Sequence, residues 1–85
     1  MAPSVYHSSC GGFDFLGLRQ GRSGGIEIVY DDGVTRRLVF RVVTSRYDTD
    51  DIGDALRSAV NQTRVLPALY SELKKRAIAI EAVAG

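Results

Sequence analysis

Between residues 26 and 44 apolar and polar side chains alternate with a period of two, the pattern of strands that bury one face. Ile26-Glu27-Ile28-Val29-Tyr30 and the run Val34 to Thr44 are both rich in β-branched residues, and Asp31-Asp32-Gly33 separates them. A three-residue hairpin loop suits that triplet: a type I turn closed by Gly33 at positive φ, where glycine meets no steric penalty. The register that follows sets Ile28 opposite Arg36, Ile26 opposite Leu38 and Glu27 opposite Arg37. One face then reads Ile26, Ile28, Tyr30, Leu38, Phe40 and Val42 and is the predicted core face. The other reads Glu27, Val29, Thr35, Arg37, Val39, Arg41 and Val43, valines set among charges. That face is more apolar than contact with water alone requires. Val29, Arg37, Val39, Arg41 and Val43 are therefore candidate partner-binding residues.

After residue 48 the period lengthens. Asp48 or Thr49 can cap a helix, and Asp50, Asp51 and Asp54 place negative charge where the helix dipole favours it. Ile52, Ala55, Leu56, Ala59 and Val60 fall at i, i+3, i+4, i+7 and i+8, one apolar stripe, which predicts a helix over about 50–62. From Val65 the reading forks. Pro67 suits a first helical turn, Leu66, Leu69, Leu73, Ala77 and Ile80 keep helical spacing, and Glu72 with Arg76 makes an i,i+4 pair. Residues 77–83 fit a strand as well, but the alanines and the continuous spacing favour helix to about residue 82. Such a helix would be apolar nearly all round at its end. Leu73, Ala77, Ile78, Ile80 and Val83 are accordingly candidate self-association residues. Upstream, Phe13 to Leu18 is apolar enough for a strand, residues 19–25 read as a Gly/Arg loop, and 1–12 as a Ser/Gly/Pro-rich flexible N-terminal tail.

These elements define an α+β fold class: a three-stranded antiparallel β-meander packed on one or two C-terminal α-helices, with 13–85 a single domain. The order strand, Asp-Asp-Gly turn, strand, Asp-Thr-containing loop and helix from Ile26 to Val60 resembles the opening of β-grasp, ubiquitin-like domains, over less than half of the chain. That resemblance implies the alternative, a β-grasp-like fold with 77–83 as a last strand.

Composition narrows the function. At 85 residues, 45% apolar and 25% charged, the chain is a globular domain with a thin core, in the size range where self-association often adds stability. A net charge of +1 lacks the cationic excess of a dedicated nucleic-acid binder. Arg19, Arg22, Arg36, Arg37, Arg41 and Arg46 nevertheless cluster in the β region, and Arg19 with Arg22 are candidate anion contacts. Cys10 is the only cysteine, which argues against a disulfide framework or multi-cysteine zinc site and for a reducing compartment. The N-terminus has neither the cationic start nor the apolar run of a signal peptide. The apolar stretch near 77–83 is too short to cross a bilayer, so no membrane partner and a cytoplasmic location are expected.

No motif specifies a reaction. His7 and Cys10 lie in the tail with nothing to orient a base. The segment from Gly17 to Gly25 runs strand to strand, without the helix N-terminus that phosphate loops use. Asp48, Asp50, Asp51 and Asp54 lack the spacing of a calcium loop and serve the helix start. Catalytic residues, cofactors and metals are thus all expected to be absent. Two functions remain: a small non-enzymatic protein–protein interaction module (an accessory, adaptor or inhibitor protein) that forms homo-oligomers, or a nucleic-acid-binding accessory protein using the arginine-bearing sheet.

Overall fold

A computed structural model of the chain describes residues 4–7, 14–22, 24–34 and 36–83. Five strands, β1 (Ser4–His7), β2 (Phe15–Gln20), β3 (Ile26–Asp31), β4 (Arg37–Val42) and β5 (Ile80–Ala82), lie side by side in chain order. Every neighbouring pair is antiparallel. Helices α1 (Thr49–Val60) and α2 (Val65–Lys75) connect β4 to β5 and cover one face of the sheet. The architecture is α+β, with two strands more than the predicted meander.

The core follows from the two periodicities. Leu16, Ile28, Tyr30, Phe40 and Val42 on the sheet meet Ile52, Ala55, Leu56, Ala59 and Val60 of α1 and Val65, Leu69 and Leu73 of α2. Leu16, Leu56, Leu69 and Leu73 are at most 1% exposed, and burial of each such side chain is worth about 1.5–3 kcal/mol. Phe40 and Tyr70 of α2 meet edge to face at 5.8 Å between ring centroids. Asp48 caps α1, its Oδ1 accepting from the Asp50 N–H at 2.9 Å. On α2 the Arg76 guanidinium donates to Glu72 at 2.9 Å. That bond, with a second from Lys75, holds the Glu72 carboxyl below its ordinary range.

The β3–β4 register differs from the predicted one. Glu27 stands opposite Arg41, Ile28 opposite Phe40, Val29 opposite Val39 and Tyr30 opposite Leu38. The loop lies between the paired Asp31 and Arg37, centred on Val34 rather than on Asp32. Asp32 Oδ1 accepts from the N–H groups of Val34 at 2.8 Å and Arg36 at 3.0 Å, and its own N–H donates to Arg36 O at 3.1 Å. Asp31 Oδ1 accepts from the Gly33 N–H. These aspartate bonds stabilise a loop placed further along the chain than glycine alone dictates. The turn closed by a glycine at positive φ occurs one hairpin earlier, in a loop of equal length: Gly21 N–H donates to Gly25 O, Gly24 N–H to Gly21 O, and Gly24 has φ +87°.

Ser4–His7 lies inside the stretch expected to be a tail and forms an edge strand instead. Tyr6 anchors it. Its hydroxyl reaches the buried Gly53 on α1, where a Cβ would come within 3.1 Å, and the Arg57 guanidinium sits 5.8 Å over its ring. A glycine in mid-helix costs about 1 kcal/mol, and here it admits the strand. Phe13, expected to open the next strand, lies outside the described residues.

The helix expected to run to residue 82 ends at Lys75. Ile78 N–H donates to Leu73 O, Ala77 N–H to Lys74 O, each at 3.0 Å, and Ala77 has φ +57°. This is a Schellman motif with alanine in the left-handed position that glycine usually takes. Ile78 and Leu73, both buried, supply its apolar contact. The chain then reverses into β5, the last strand that the β-grasp-like alternative anticipated, placed antiparallel at the sheet edge beside β4.

Candidate partner-binding face

Alternation along the strands sends every second side chain away from the helices, and the register sorts these residues into rows across the sheet. The middle row is Gly17, Val29 and Val39, continued by Val83, whose N–H donates to Val39 O at 2.9 Å. Val29, Val39 and Val83 are each partly exposed. One row along the strands stand Arg19, Glu27, Arg41 and Glu81, alternating in charge from β2 to β5. On the other side of the valines stand Phe15, Asp31 and Arg37. Among the described residues, then, this face carries an apolar centre between two charge-bearing borders, one of them including Phe15. The missing side chain of Gly17 leaves a shallow hollow lined by Phe15, Arg19, Val29, Asp31 and Arg37.

The charges are matched within the face. Arg19 Nε donates to Glu27 Oε1 at 2.8 Å. Arg41 is hydrogen-bonded to Glu81, which raises the guanidinium's already high pKa. Arg37 stands opposite Asp31. Three arginines thus face three carboxylates across two rows, and among the described residues of the face these charges balance.

The structure brings together Val29, Arg37, Val39 and Arg41 from the predicted partner set. Val43 lies just past β4, 48% exposed, its N–H bonded to Ala79 O. Gly17, Asp31 and Glu81 were missed as members. The alternation of Ile80-Glu81-Ala82-Val83 carried the signal for β5, but the unbroken helical spacing upstream outweighed it.

Of the predicted self-association set, Leu73, Ala77, Ile78 and Ile80 border one open hollow between α2 and β5, beside Tyr70. Leu73 and Ile78 are buried in the core, at 1% and 6% exposure, because α2 packs them against the sheet and the chain turns at Ala77. Ile80 is partly buried against the same core. Val83 instead joins the outer sheet face. Of the two candidate anion contacts, Arg19 is engaged by Glu27, and Arg22 is exposed at the β2–β3 turn.

Elsewhere the charged side chains have local structural work. Asp48 caps α1, and Asp54 pairs with Arg57. Among the described residues no three His, Cys, Asp or Glu side chains converge as a metal site would require. Cys10 lies outside those residues. None of their helices is long and apolar enough to cross a membrane. The fold and face define a two-layer α+β domain with helices on one side of its sheet. No protein-family model, curated protein or solved structure matches the chain.

Proposed function

We propose that the protein is a small non-enzymatic interaction module, an accessory, adaptor or inhibitor protein of the cytoplasm, that meets a protein partner with its outer sheet face. The observation carrying this reading is the row Val29–Val39–Val83, partly exposed and bordered by charged rows. An apolar centre inside a polar rim is the general anatomy of a protein interface. The charge balance disfavours the nucleic-acid alternative, since Arg19 and Arg41 already face carboxylates instead of standing ready for phosphates. The single cysteine agrees with a reducing compartment.

The reading is tested by comparing partner capture by the wild type, Val39→Glu and a helix-side control, Arg64→Glu. Protein captured by the wild type and the control but lost from Val39→Glu, and retained at raised salt, supports it. Equal capture by all three removes the sheet face as the site. A mobility shift of RNA or DNA at low salt that collapses as salt rises would instead favour the nucleic-acid reading.

A further inference from the structure

We infer that the outer sheet face docks on the same face of a second copy of this chain, about a two-fold axis that runs parallel to the strands between β3 and β4. This rests on the preceding reading and names its partner. Such an axis reverses strand order while keeping each row in place, so β2 lies over the partner's β5 and β3 over its β4. The charged row reads Arg19, Glu27, Arg41, Glu81 across β2 to β5. Reversed, it reads Glu81, Arg41, Glu27, Arg19, so every arginine faces a carboxylate. Asp31 and Arg37 in the other border likewise face each other across the axis. In the central row Val29 meets the second copy's Val39, and the hollow at Gly17 lies opposite its Val83.

The alternative two-fold, across the strands through the valine row, superposes the two borders. It would set Glu27 against Asp31 and Arg41 against Arg37, like against like. Like charges across an interface are strongly unfavourable. The charge pattern therefore selects one isologous arrangement.

Stacked sheets lie about 10 Å apart with strand directions within about 30° of each other. The twist leaves the contacts nearest the axis in place: Val29 on Val39, Glu27 on Arg41, Asp31 on Arg37. Two overlapping strands of about six residues and two limited to the three residues of β5, about 4.8 Å apart, give a projected patch of roughly 300 Å² per copy. Doubled, that lies below the range of stable specific interfaces, which describes a weak, concentration-dependent dimer.

Sedimentation velocity across a dilution series from millimolar to submicromolar, with Val29→Asp and Val39→Lys alone and mixed, tests the geometry. The wild type is expected to shift from monomer to dimer with concentration, and each variant alone to stay monomeric. The equimolar mixture should recover a dimer, since the carboxylate introduced at position 29 of one copy faces the ammonium introduced at position 39 of the other while a Val–Val contact remains. A second measurement needs no substitution: mixed isotope labelling of the wild type should give intermolecular contacts between Val29 and Val39 methyls. A wild type monomeric at millimolar concentration overturns the second-copy inference, while loss of partner capture in Val39→Glu would still stand for the broader reading. A dimer that both variants retain, a mixture that stays monomeric, or a dimer without Val29–Val39 contacts overturns the proposed axis.

Discussion

Replacing Ala77 with glycine is expected to stabilise the protein. Ala77 occupies the left-handed region at φ +57°, where a Cβ crowds the following carbonyl at a cost of about 1–2 kcal/mol. Glycine escapes that cost but gains freedom in the unfolded chain, worth about 0.4–1 kcal/mol against the fold. The difference is a net gain of about 0.5–1 kcal/mol. For a domain of this size that raises Tm by about 3–6 °C. The capping bonds from Ile78 to Leu73 and from Ala77 to Lys74 use main-chain atoms only, so the substitution leaves them intact. Thermal melts and urea titrations with an unchanged slope measure the effect. The opposite sign is what a continuous helix through residue 82 requires, because Ala→Gly inside a helix costs about 1 kcal/mol. A destabilised Ala77→Gly variant would therefore refute the helix stop and, with it, the placement of Glu81 and Val83 on the sheet face.

Two further substitutions probe the packing beneath that face. Tyr30 donates to Asp14 at 2.8 Å, and burial first, then this bond, push its pKa up to about 12. Because the neutral phenol is the favoured native form, its contribution is intact below about pH 10 and lost as pH climbs through 12. Absorbance titration should show a late tyrosine component that Tyr30→Phe deletes, and a curve the variant leaves unchanged would contradict the assignment. Gly53→Leu should cost about 1–3 kcal/mol by overpacking against Tyr6. The loss should shrink in a Tyr6→Ala background; equal losses in denaturant titrations of both backgrounds would show that Tyr6 does not press on Gly53.

What was legible in the sequence were the elements with a strong local period. The stripe Ile52, Ala55, Leu56, Ala59, Val60 is buried as its spacing implies, and the capping role of Asp48 follows from its oxygen standing before the first turn. Of the two edge strands, the first was not legible and the last was legible only as the less favoured alternative, for different reasons. Ser4–His7 is short, and its docking depends on Gly53, a glycine far along the chain that no local pattern announces. At the other end, the Schellman stop lacks the glycine that usually marks one. Leu73 and Ile78, which close it, stand five apart, while Leu73, Ala77 and Ile80 keep a helical spacing that hides the stop.

The composition of the outer face was easier to read than its arrangement. Predicted and observed registers of β3 on β4 set Ile28 against Arg36 and against Phe40 respectively, an even slip. An even slip keeps every side chain on its own face, whereas a slip of one would exchange the faces. Face membership therefore survives an error in the position of the loop. Neighbours do not. With a three-residue loop at Asp31–Gly33, Val29 would stand beside Thr35 and Val39 beside Gly25, and the valines would be scattered singly among charges. The Asp32 bonds to Val34 and Arg36 move the loop two residues along the chain, from a centre at Asp32 to one at Val34, and bring Val29 against Val39 and Glu27 against Arg41. The apolar row and the alternating charges that make the face self-complementary thus come from register, and register here is set by one aspartate in the loop rather than by the strands it joins.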